Sequence, residues 1–66
     1  MTVEKARELI GVQVSLGSGY NRNATRLILR EVQLEHGQDA VDKLIAELDL
    51  ETAFGLRQGT DFSKVV

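Results

Sequence analysis

Residues 22–36 read Arg-Asn-Ala-Thr-Arg-Leu-Ile-Leu-Arg-Glu-Val-Gln-Leu-Glu-His, and this stretch decides the architecture. On a helix, at about 100° per residue, Arg22, Arg26, Gln33 and Arg30 fall within one arc of roughly 80°. Leu27 and Leu34 lie on one side of that arc, and Ile28, Leu29 and Val32 on the other. Between those flanks come Ala24, Glu31 and Glu35. So wide an apolar surface exceeds what one neighbouring helix covers. The pattern predicts a central helix packed on two sides, with a second copy of the chain supplying part of the cover.

Downstream, Gly37 stands where a left-handed residue ends a helix. Asp39 or Gln38 opens a third helix, in which Val41, Leu44, Ile45 and Leu48 recur at i, i+3, i+4 and i+7. Asp49 is expected to cap a short fourth helix over 50–54, closed by Gly55; one longer helix from Ala40 to Phe54 is the alternative. Residues 57–66 read as an extended tail, with Phe62, Val65 and Val66 able to dock on a neighbour. Gly59-Thr60-Asp61-Phe62 reads as a turn with an aromatic anchor, and Phe54, Leu56 and Phe62 are expected to close the bottom of the core.

Upstream, Gly17-Ser18-Gly19 breaks the chain, and Asn21 or Asn23 is expected to cap the central helix. Tyr20 is read as an anchor for this turn at the edge of the core. A first helix begins at Thr2, with Glu4 in its first turn, where the helix dipole favours an acid. Val3, Ala6, Leu9, Ile10 and Val14 follow helical spacing, and Gly11 weakens it by about 1 kcal/mol relative to Ala. Val12, Val14 and Leu16 also alternate with polar residues, as in a strand. Helix to Leu16 is preferred, because a lone strand has no partner in so short a chain.

The expected fold is a single all-α domain over 1–66, with helices near 2–16, 22–36 and 39–49, a short fourth helix and a C-terminal tail. The predicted core is Leu9, Ile10, Leu27, Ile28, Val32, Val41, Leu44, Ile45 and Leu48. A 66-residue chain buries only about 60% of the surface its unfolded form exposes. Domains this small usually rely on disulfides, a metal or a partner. The chain has no Cys and one His, which excludes disulfides, thiolate zinc sites and a multi-histidine metal site within one chain. Self-association remains, and a homodimeric helical bundle built largely on helices one and two is the expectation.

Charge is unevenly spread along the chain. Through Arg30, five basic residues face two acids; from Glu31 onward, three face eight. Opposed halves suit an antiparallel or head-to-tail copy, or neutralise each other within one fold. Hydrophobic residues make up 42% of the chain, as in folded domains. No stretch approaches the roughly 20 apolar residues of a membrane span, and Met1–Arg7 lacks the pattern of a signal peptide. A cytoplasmic location is expected, and Asn23-Ala24-Thr25 is then a chance match to a glycosylation acceptor.

Candidate functional residues fall in four groups. Arg22, Arg26 and Arg30 form a stripe that is read as a solvated face paired to acids on helices one and three, as a salt-bridge face for a partner, or as a phosphate-contacting face for nucleic acid. An acidic chain without interleaved aromatics argues against nucleic acid. Gly17, Ser18, Gly19, Asn21 and Arg22 precede a helix N-terminus that can hold an anion, although the spacing fits neither the Rossmann pattern nor the P-loop. Glu31, Glu35 and His36, with Asp39 and Asp42 across the Gly37 turn, lack the Glu-x-x-His spacing of helical di-iron sites, so no metal and no cofactor are expected. Ser15, Ser18 and Ser63 have no neighbouring base in sequence, so no catalytic set is read. The expected function is a non-enzymatic interaction or regulatory module, the alternatives being nucleic-acid binding or an accessory subunit that binds an anionic ligand.

Overall fold

The computed structural model describes residues 1–17 and 19–64, with Gly19 and Tyr20 as backbone. Ser18 as a candidate anion contact, Tyr20 as an anchor, and Val65 and Val66 as a docking end lie outside the described residues. The fold is all-α: α1 Val3–Leu16, α2 Gly19–His36, α3 Gln38–Glu47, α4 Leu50–Phe54 and a 3₁₀ turn Phe62–Lys64. No strand occurs among the described residues.

Helix α1 starts as its sequence indicates. The Thr2 hydroxyl accepts the Lys5 N–H at 3.0 Å, and Ala6 and Ile10 are buried. The helix runs through Leu16, so the alternation of Val12, Val14 and Leu16 does not form a strand. Gly17 ends it at φ 65°, a left-handed conformation that suits glycine, and donates its N–H to the Gln13 carbonyl at 3.3 Å.

Helix α2 begins at Gly19, three residues before Arg22, so neither Asn21 nor Asn23 is its cap. The Asn21 amide instead donates to the Gln13 carbonyl at 3.4 Å, tying α2 to the end of α1. One turn on, the fully buried Thr25 donates its hydroxyl to the Asn21 carbonyl at 2.8 Å, which satisfies it without a partner on another element.

Gly37, at φ 88°, turns the chain from α2 into α3, a conformation an L side chain rarely adopts. Helix α3 buries Val41, Leu44 and Ile45 and ends at Glu47, two residues early. Asp49 then takes a left-handed conformation at φ 50°, so a single helix from Ala40 to Phe54 does not form. The Asp49 side chain does not cap α4; it accepts the Thr52 hydroxyl at 3.0 Å.

The tail is not extended throughout. It folds back so that Phe62 is buried in the 3₁₀ turn against α2. Asp42 accepts the Gly59 N–H at 2.7 Å, and Gln38 donates to the Thr60 carbonyl at 2.9 Å. Gln33 accepts the Phe62 N–H at 3.4 Å and donates to Gln38 at 2.9 Å. These amides and one carboxylate satisfy the backbone of an irregular segment that would otherwise need water.

The core is Ala6, Ile10, Leu29, Val32, Val41, Leu44, Ile45, Leu50, Leu56 and Phe62. Five predicted members are in it, and Leu9, Ile28 and Leu48 are half-buried. Leu27 is a correction: it is 55% exposed. Thr25, Leu29 and Val32 mark the buried line of α2, and Leu27 lies roughly opposite at about 100° per residue. Leu29 takes the inner place instead.

Candidate functional site

Two surfaces of α2 remain once the core is accounted for. The first contains the arginines. Arg22, Arg26 and Arg30 make no ion pair among the described residues, so the expected acid partners on α1 and α3 are not found. Glu47 of α3 instead holds Arg7 of α1 at 2.7 Å.

The structure divides the stripe. Arg22 and Arg26 line a cleft of about 220 Å³ together with Gly55, Leu56, Arg57, Thr60 and Phe62; Arg30 is exposed outside it. Arg22 Nε donates to the Phe54 carbonyl at 2.9 Å, so its guanidinium is fixed against the end of α4. Arg26 is half-buried one helical turn further on. Arg57 enters from the segment after Gly55 and is only loosely held by Glu51 at 3.8 Å, with both side chains largely in solvent. Sequence reading missed Arg57, because it sits in irregular chain where no periodicity relates it to α2.

Around the α1–α2 connection, the Gly17 N–H and the Asn21 amide are both committed to the Gln13 carbonyl, and Arg22 turns toward α4. The acids near His36 are divided as well. Glu35 accepts the Met1 amine at 2.8 Å, Glu31 lies 3.7 Å from that amine, and His36 Nε2 is 2.9 Å from the Met1 carbonyl. Asp42 faces Gly59 and Gln38. No group of three or more metal-ligating side chains converges among the described residues. The hydrogen bond to Glu35 raises the Met1 amine above its ordinary pKa of 8.0, and burial opposes the rise. The same hydrogen bond lowers Glu35 below its ordinary 4.5.

The second surface is apolar. Among the described residues, the exposed large hydrophobic side chains are Val12, Leu16, Leu27 and Leu34, at 49, 66, 55 and 59%. All four belong to α1 and α2, which pack on each other. Leu27 and Leu34 are seven residues apart on one face of α2, with exposed Arg30 and Glu31 between them in sequence. Among the described residues, no helix is long and apolar enough to cross a membrane.

Fold and surfaces together define a small all-α domain with an arginine-lined cleft on one flank of its central helix and exposed apolar side chains on α1 and α2. Comparison with protein-family models, curated proteins and solved structures finds no match to this chain.

Proposed function

We propose that this chain is a non-enzymatic interaction module of the cytoplasm that works as a homodimer, with the outer face of α1 and α2 covered by a second copy. The observation that carries the reading is the confinement of Val12, Leu16, Leu27 and Leu34 to one pair of helices, while α3 and α4 expose no large apolar side chain among the described residues. Exposed apolar groups gathered in this way mark association surfaces.

The charge distribution favours a copy of the same chain as the occupant. Five basic residues against two acids through Arg30, and three against eight from Glu31 onward, suit an antiparallel copy that sets each half against its opposite. On α2 a two-fold axis normal to such a pair, level with a point midway between Leu27 and Leu34, sets Leu27 of one helix opposite Leu34 of the other, so that the contact is made twice, as an isologous interface requires.

Charges placed on the apolar strip test this arrangement. Leu27→Asp and Leu34→Asp are each expected to weaken association in light scattering, whereas Lys43→Asp on α3 is expected to leave it little changed. If neither leucine variant weakens association, this face is not the interface. If the unmodified chain is monomeric, the homodimer itself is wrong.

A further inference from the structure

We infer that the cleft between α2 and the 55–62 segment binds the phosphate group of a small phosphate monoester, held by Arg22, Arg26 and Arg57. Its seven lining residues include three arginines and no acid. Arg22 and Arg26 are four apart on α2, where like charges repel. Neither is paired to a carboxylate among the described residues, so a bound dianion relieves that repulsion.

The geometry suits a tetrahedral oxyanion. Arg22 spends its Nε on the Phe54 carbonyl, which fixes the plane of the guanidinium and leaves its terminal N–H groups for a ligand. Arg57 is held to Glu51 only across 3.8 Å in solvent, so it exchanges that partner at little cost. Planar guanidinium forks match phosphate oxygens two at a time. Leu56 and Phe62 are buried and give the open cleft an apolar floor against which an organic substituent can pack.

Size selects the class of ligand. About 220 Å³ is below the ~300–1,000 Å³ of sites for larger ligands. It accommodates a phosphate with a short organic substituent against Leu56 and Phe62, while an extended polyanion would need basic residues continuing past the cleft. Arg30 does continue the helix, but it is not among the residues that line the site. The cleft also lies on a different side of α2 from Leu27 and Leu34, so binding here is independent of the proposed dimer.

The test is titration of the folded chain with phenyl phosphate and with inorganic phosphate at constant ionic strength, followed by amide NMR shifts. Saturable shifts are expected at Gly55, Arg57 and Thr60, with phenyl phosphate the tighter ligand. Arg26→Gln and Arg57→Gln are each expected to weaken binding about tenfold, the loss of one charge-assisted contact. Arg30→Gln makes the same charge change outside the cleft and is expected to alter affinity less than about twofold, the size of a screened remote charge. Arg57 is largely in solvent, so its variant reports binding even if Arg26→Gln perturbs the fold. The proposal fails if neither ligand gives saturable shifts, if Arg30→Gln weakens binding as much as Arg57→Gln, or if a short RNA oligonucleotide binds through all three α2 arginines alike with a steep salt dependence.

Discussion

The two flanks of α2 are finished by different means. On one side, Gln33 and, from α3, Gln38 and Asp42 hold residues 59–62 in place, and Leu56 and Phe62 seal the core beneath. On the outer side, Leu27 and Leu34 stay in solvent, as do Val12 and Leu16 of α1. A short chain has few segments with which to cover its helices. This one uses its C-terminal segment to close one flank, and no described segment covers the other.

The contrast can be broken most severely at the closed flank. Phe62→Ala is expected to cost about 3–5 kcal/mol in urea unfolding, the usual penalty for emptying the site of a buried aromatic. Leu27→Asp is expected to leave the helical circular dichroism of the protomer intact while weakening association, because its side chain is outside the core. Equal loss of helix in both variants would erase the distinction between the flanks.

Smaller changes sharpen it. Asp42→Ala removes the acceptor for Gly59 and a partner of Gln38, and is expected to cost about 1–3 kcal/mol and to speed amide exchange at Gly59. Titration of the Met1–Glu35 pair is a weaker effect, since both groups are exposed. Glu35 is depressed from 4.5, so its contribution to stability is present above that value and lost as pH falls through the lowered pKa. The Met1 amine is raised from 8.0, so its contribution is complete below that value and lost as pH rises through the raised pKa. Melting temperature against pH should show both flanks, and Glu35→Gln should flatten them. The smallest expected effect is a gain. A Cβ at Gly11 meets nothing within 4 Å, so Gly11→Ala should stabilise α1 by about 0.5–1 kcal/mol in thermal unfolding.

What was readable in the sequence followed from local interactions. Thr2 and Gly17 bound α1, and the spacing of Val41, Leu44 and Ile45 identifies the buried face of α3, because caps and periodicity act within a few residues. The start of α2 was not readable, since the Asn21 amide is spent on a carbonyl of another helix. Nor was the choice of Leu29 over Leu27 for the core: a broad apolar arc does not say which part of it faces inward. The fold-back of residues 57–64 depends on Gln33, Gln38 and Asp42 reaching across the molecule, and no local pattern encodes that. The same long-range closure brings Arg57 to Arg22 and Arg26. Two of the three cleft arginines were therefore visible as a stripe, and the cleft itself was not.

In the proposed dimer, the outer face of α1 and α2 is covered by a second copy. Sedimentation equilibrium of the unmodified chain across a wide range of micromolar concentrations tests it most directly. A species of twice the chain's mass that dissociates on dilution is expected, and Leu27→Asp should shift it toward the single chain. A folded chain of single mass at every concentration would contradict it.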